Sequence, residues 1–233
     1  MNDSRKKIVA IVPAAGIGSR MGAELPKQYL KIADKPILSL TLHLLLTHPR
    51  VERVIVALHP QDSYFSSLAE ASHPKLESVI GGDERADSVL ACLNRVDDDY
   101  WAMVHDAARP CLTHNDIDKL IDSLALFPQG AILASPVRDT MKRGDKQGRI
   151  EQTVCREQLW HALTPQLFPV TSLRDNLAKA LMLKVNITDE ASAMEWAGVA
   201  PGLVTGRADN IKITHPDDLR LAELFLSHGE PNS

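Results

Sequence analysis

Five short runs, mostly apolar and rich in β-branched residues, constrain the fold of this chain more than any other feature. They are Ile8-Val9-Ala10-Ile11-Val12, Val54-Ile55-Val56-Ala57, Leu76 to Ile80, Trp101 to Val104, and Ala131-Ile132-Leu133-Ala134. Such runs read as buried strands. Between them apolar residues recur at three- and four-residue spacing, as in Leu38, Leu42, Leu45 and Val89, Leu93, Val96, the stripe of a helix covering a sheet. Strand and helix in alternation imply a mostly parallel sheet with right-handed crossovers. The fold class that follows is α/β, with a Rossmann-like twisted sheet; the length admits one large domain or two small ones, and a single three-layer domain over residues 1–233 with an appendage is expected.

In sheets of this kind ligands sit beyond the carboxyl ends of the strands. Polar residues gather at those ends here. The first strand runs into the Gly16 loop, the third into Gly81-Gly82-Asp83, and the fourth into His105-Asp106-Ala107-Ala108-Arg109. Three loops are therefore expected to converge on one rim.

The pattern breaks from Val137 to Val154, a polar stretch with Gly144 and Gly148 flanking a turn, which reads as a projecting β-hairpin arm. An isolated hairpin is marginal in water, so the arm (residues 137–154) is expected to pack on a second subunit as a dimerisation element. Beyond it the expected elements are helices over Thr171 to Met182 and Asp189 to Ala197, a short strand over Asn210 to Ile213, and a closing helix from Asp217 to Ser227.

The loop Pro13-Ala14-Ala15-Gly16-Ile17-Gly18-Ser19-Arg20-Met21-Gly22 leaves a strand with small residues and glycines, so main-chain N–H groups can approach an anion closely. Arg20 and Lys27 add a guanidinium and an ammonium, and two cations beside such a turn suit a triphosphate. The glycines do not follow the G-x-G-x-x-G dinucleotide pattern, and the second strand ends Leu58-His59-Pro60 without an acid. No G-x-x-x-x-G-K-[ST] string occurs either, which excludes a P-loop.

In Gly81 to Ser88 the glycines expose backbone groups and Ser88 a hydroxyl, suitable partners for a base edge; Asp83 taken alone is an ordinary helix N-cap. Asp106, at the end of the fourth strand, could face a magnesium ion held mainly by phosphates, or merely cap the next segment. Asp97-Asp98-Asp99 lies before that strand, at the opposite edge, and reads as a solvated turn.

The formal charge of -4 argues against a nucleic-acid or anionic-membrane surface. Hydrophobic residues at 44% and charged residues at 24% match an ordinary soluble protein. Cys92, Cys111 and Cys155 stand far apart in no metal-ligand spacing, as reduced thiols do. With a polar N-terminus and no apolar run near the ~20 residues a bilayer needs, the expected setting is cytoplasmic.

Six motifs in order carry a resemblance: Pro-Ala-Ala-Gly-x-Gly-x-Arg-Met with Pro26-Lys27-Gln28-Tyr29; Gly81-Gly82-x-x-Arg85-x-x-Ser88; His105-Asp106-Ala107-Ala108-Arg109-Pro110; Leu159-Trp160 with Thr164-Pro165-Gln166; Thr188-Asp189-Glu190; and Asn210-Ile211-Lys212. From about Lys7 to the last helix the chain resembles the 2-C-methyl-D-erythritol 4-phosphate cytidylyltransferases. That resemblance implies CTP and methylerythritol phosphate as substrates, a divalent cation such as Mg2+, and a homodimer whose arms complete neighbouring sites.

It further implies that Arg20 and Lys27 stabilise the transition state, while Ala14, Ala15, Gly16 and Gly18 line the phosphates. Gly82, Asp83 and Ser88 would face cytosine and ribose. Arg156 and Lys212 would position the attacking phosphate, with Asp106, Arg109, Thr140, Thr164 and Thr188 nearby. Thr140, Arg156, Thr164 and Thr188 are expected across the dimer interface from the nucleotide. Two rival readings are a cytidylyltransferase for another polyol phosphate, such as ribitol 5-phosphate, and a nucleotide-binding regulatory module without catalysis.

Overall fold

A computed structural model of the chain describes residues 6–16 and 25–228. In chain order, β1 (Lys7–Pro13) is followed by a ribbon of β2 (Lys31–Ile32) and β3 (Lys35–Pro36), helix α1 (Ile37–Thr47) and β4 (Val51–Leu58). Next come β5 (Leu76–Ile80), α2 (Arg85–Leu93), β6 (Tyr100–Val104), α3 (His114–Asp122) and β7 (Ala131–Pro136). The hairpin β8 (Met141–Gly144) and β9 (Ile150–Val154), then β10 (Trp160–Pro169), α4 (Val170–Met182), α5 (Glu190–Trp196), β11 (Gly202–Thr205) and α6 (Pro216–His228) complete the described chain.

All five runs read as strands belong to one seven-stranded sheet, ordered β11-β7-β10-β6-β1-β4-β5. Pairing is parallel except at β10, which runs antiparallel to both β6 and β7. The period-two alternation of β1 divides the core. Ile8, Ala10 and Val12 face α1 and α3 with Leu38, Leu42 and Leu45, whereas Val9 and Ile11 face α2 and α4 with Val89, Leu93 and Leu177. Leu42 is fully buried, so truncating it to alanine is expected to cost about 2–5 kcal/mol. A third cluster joins Ile37, Ala108, Ile213 and Ala222, and so seats α6 beside the end of β6.

Two departures from the sequence reading bear on the site. Asn210 to Ile213 is no strand; it is an irregular segment pinned by Ile213 N–H to Ala108 O at 2.9 Å, and the strand of this region is β11. The ten-residue β10 carries no strand signal of its own because Pro165 interrupts it. The ladder tolerates the proline at a bulge, where the register with β7 shifts between Ala162 and Gln166.

The arm is a two-stranded ribbon pairing Met141 with Val154 and Gly144 with Ile150. Its tip is set by Asp145, whose Oδ1 accepts from Gln147 N and Arg149 N, both at 2.9 Å, and by Gly148 at φ +79°, a conformation glycine adopts without a Cβ penalty. Ile150 remains 69% exposed on it. Cys92 and Cys111 are buried and Cys155 is exposed. Among the described residues, no helix is long and apolar enough to cross a membrane.

Candidate functional site

Parallel pairing of β5, β4, β1 and β6 brings their carboxyl ends to one rim, where a cavity of about 430 Å³ opens. Ala14, Ala15 and Gly16 enter it from β1, Lys27 from the turn after Pro26, Gly82, Asp83 and Ser88 from beyond β5, Asp106 from beyond β6, and Lys212 from the irregular segment. Nine residues singled out in the sequence thus meet in one place. Gly18 and Arg20 lie outside the described residues.

The rim is built by close backbone approach. Ala14 N–H donates to Ala57 O at 2.8 Å, and the buried Gln28 side chain donates to Ala14 O at 2.8 Å, fixing the exit of β1. At Gly81 a Cβ would fall 2.6 Å from Ala15 Cβ and 2.7 Å from Ser88 Oγ, so any larger residue would push the two loops apart. The N-cap of α2 is Glu84, whose N–H donates to Asp87 Oδ2 at 3.1 Å; Asp83 is therefore not the cap and stands exposed at the cavity. Ser88 lines the cavity, but its hydroxyl oxygen accepts from Gly82 N–H at 3.2 Å and braces the loop.

Asp106 is the electrostatic centre. Its Oδ1 accepts from Arg85 Nε at 3.0 Å; its Oδ2 accepts from Arg109 Nε at 3.3 Å and lies 3.0 Å from Lys212 Nζ. Burial alone would raise its pKa, but Arg85, Lys212 and Arg109 together outweigh burial and hold the carboxyl well below the usual carboxylate range. Arg109 does not line the cavity as expected. It is buried behind Asp106, its Nη1 donates to Asn210 O at 2.7 Å, and burial lowers its pKa while Asp106 offsets part of that. Arg109 thus braces Asp106 from behind the cavity wall.

A resident magnesium ion does not fit these groups. Among the described residues no three His, Cys, Asp or Glu side chains are grouped to hold a metal, and both Asp106 oxygens are already engaged by cations. An ion ligated by Asp106 would have to displace one of them.

Thr164 is buried on β10, beside Asp106 of the same chain. Its Oγ1 accepts from Asp106 N–H at 3.1 Å and lies 3.0 Å from His105 Nδ1, while His105 Nε2 lies 3.0 Å from Arg109 O. The carbonyl can only accept, so His105 carries its proton on Nε2 and Thr164 donates to Nδ1. Burial lowers the His105 pKa to about 4 and keeps the ring neutral. Thr140, Arg156 and Thr188 are exposed, and none lines the cavity; Arg156 donates to Arg138 O at the base of the arm. As read in the sequence, Asp98 and Asp99 lie at the far edge, paired with Arg174 and Lys7.

Sequence reasoning assigned no role to Arg85, Glu190, Gln166 or Gln28. One signal existed for Arg85: a cation at the first position of a helix opposes the macrodipole and needs another use. Gln166 joins two of the motifs physically. Its Nε2 donates to Asp189 Oδ2 at 2.9 Å and its Oε1 accepts from Ala191 N–H at 2.8 Å, which ties β10 to the start of α5.

The family model for 2-C-methyl-D-erythritol 4-phosphate cytidylyltransferase matches residues 8–228. The chain is 72% identical over 228 residues to the enzyme of that name from Shewanella sediminis, covering 98% of this chain and 97% of the relative. It is 67% identical to the one from Shewanella halifaxensis, at 98% and 99% coverage. The crystal structure of the Francisella tularensis enzyme of the same name superposes with a TM-score of 0.83 at 34% identity, over 94% of this chain and all (100%) of that one.

Proposed function

The chain belongs to the 2-C-methyl-D-erythritol 4-phosphate cytidylyltransferase family, and from that premise we propose that it converts CTP and 2-C-methyl-D-erythritol 4-phosphate into 4-diphosphocytidyl-2-C-methyl-D-erythritol and pyrophosphate. An oxygen of the acceptor phosphate attacks the α-phosphorus of CTP in line. The bond from that phosphorus to the α–β bridging oxygen breaks, and pyrophosphate leaves with its electron pair. No side-chain nucleophile is needed, so the protein's task is to align two anions and stabilise developing charge. The observation that carries this reading is a single cavity holding Lys27 and Lys212 beside a small-residue backbone loop.

In this reading the backbone from Ala14 through Gly16 to Gly18 surrounds the triphosphate, and Lys27 and Arg20 stabilise the α-phosphate and the leaving group. Asp83, exposed at the cavity and not spent on capping, suits the amino group of cytosine, an N–H donor where uracil has an acceptor. Lys212 holds the acceptor phosphate together with Arg156. Mg2+ enters on the nucleotide as part of the substrate, consistent with the occupied oxygens of Asp106. The arm supplies Thr140 and Arg156 to the neighbouring subunit of a homodimer; its exposed Ile150 and two-stranded ribbon fit a surface made to be covered. The setting is cytoplasmic.

Pyrophosphate release from MgCTP, measured with methylerythritol phosphate, with ribitol 5-phosphate and with no acceptor, tests the proposal. Release is expected with the first acceptor only. Preference for ribitol 5-phosphate would move the assignment to another polyol phosphate, and no release with any would leave a nucleotide-binding module.

A further inference from the structure

Glu190 is 2% exposed at the first position of α5, and Arg85 opens α2 beside the cavity. Arg85 Nη1 and Nη2 donate to Glu190 Oε1 and Oε2 at 2.6 and 3.1 Å, and its Nε donates to Asp106 Oδ1 at 3.0 Å. The fork is thereby engaged by Glu190, a carboxylate that does not line the cavity holding Lys27 and Lys212, although with Arg85 it borders a second one. Arg85 is spent as a strut and not as a phosphate ligand.

The strut has a fixed footing. Gln166 holds the start of α5 through Asp189 and Ala191, and the Asp189 side chain caps the helix by accepting from Ser192 N–H at 2.9 Å. At the other end Lys212 sits on a segment with neither helix nor strand, so its side chain takes its position from Asp106 Oδ2, 3.0 Å away. Charges of alternating sign then run without a gap from Glu190 through Arg85 and Asp106 to Lys212. In this partly desolvated setting a two-point guanidinium–carboxylate contact fixes orientation as well as charge.

We propose that Glu190 and Arg85 are positioning residues for the acceptor half of the site: Glu190 orients Arg85, Arg85 orients Asp106, and Asp106 places the Lys212 ammonium where the attacking phosphate binds. Glu190 touches no substrate. The inference rests on the functional reading above, in which Lys212 meets the acceptor phosphate.

The test uses full-length Glu190→Gln and Arg85→Lys. The first keeps the side-chain shape and loses one acceptor and the charge; the second keeps the charge and loses the fork. Each is expected to raise the KM for methylerythritol phosphate about tenfold, in the range typical of residues that orient a ligand-binding group, with the KM for MgCTP moved less than about threefold. The double variant should be no worse than Arg85→Lys alone, since both act through one path. Arg85→Gln tests the strut from its other end and should show the same selective rise in acceptor KM.

A merely structural anchor predicts a different outcome. Variants that lose thermal stability but keep both KM values and kcat per folded site would overturn the proposal, as would full additivity in the double variant. Should Glu190→Gln fail to fold, the split between acceptor and nucleotide KM in Arg85→Lys decides alone. Wild-type protein assayed alongside separates the two readings: inactivity with every acceptor removes the functional assignment and this inference with it, whereas an active wild type with unaffected variants removes only the inference.

Discussion

Lys212 Nζ stands 3.0 Å from Asp106 Oδ2, an oxygen that also accepts from Arg109 Nε. One carboxylate thus anchors both a buried brace and a cation at the cavity wall, and the first prediction concerns that cation. Lys212→Met keeps the aliphatic stem and removes the charge. Its kcat/KM for methylerythritol phosphate is expected to fall about 10²-fold or more, because the cation that aligns the attacking phosphate is lost. The far-ultraviolet dichroism should not change, because Lys212 is partly exposed and belongs to no helix or strand. Turnover near that of the wild type would take Lys212 out of the site.

The second prediction tests the arm. Lys27 lines the cavity, whereas Arg156 is exposed and does not. Lys27→Ala and Arg156→Ala are each expected to be poorly active as homodimers. Co-expressed, they should regain activity, since a mixed dimer holds one site with both residues intact; random pairing makes about a quarter of all sites wild type. If the mixture is no more active than its parents, the arm does not serve a neighbouring site.

Thr164 separates bracing from substrate contact. Thr164→Val leaves Asp106 N–H without its acceptor and His105 Nδ1 without its donor, which should cost about 1–3 kcal/mol in denaturant unfolding. Thr164→Ser should be close to the wild type. A residue that bound the acceptor directly would instead show a selective rise in acceptor KM with little loss of stability, and that result would contradict the bracing role.

The fourth prediction follows from His105. Burial lowers its folded pKa to about 4 from the ordinary imidazole value of about 6.5, so between those values the unfolded chain binds the extra proton and stability rises with pH. Acidifying from about pH 7 to about pH 5 should remove about 2 kcal/mol through this group. Urea midpoints at the two pH values, in wild type and His105→Gln, measure it; an equally steep loss in the variant would assign the slope elsewhere. Asp106 acts in the same direction at lower pH: its depressed pKa keeps it charged through and below the ordinary carboxylate range, so its stabilisation is full above that range and is lost as pH falls through it toward the folded pKa.

What the chain determined locally could be read locally. Val9, Ile11, Val54 and Val56 report burial on both sheet faces through their own identities, and parallel order with the rim site follows from alternation and handedness. The small-residue loop, Lys27, Asp83, Asp106 and Lys212 were legible because loops beyond parallel strands converge wherever such a sheet forms. Tertiary structure decided the rest. β10 is a strand because β6 and β7 offer ladder partners on both sides, which its own proline-broken sequence does not announce. Asn210 to Ile213 enters no sheet ladder; Ile213 N–H is taken up instead by Ala108 O, and the segment stays irregular. Thr164 and Arg109 brace Asp106, a pairing that no local pattern announces, and Arg85 meets Glu190 across 105 residues of chain. A residue's charge and hydrogen-bonding capacity are written in its type; which partner uses them depends on what packing brings within about 3 Å.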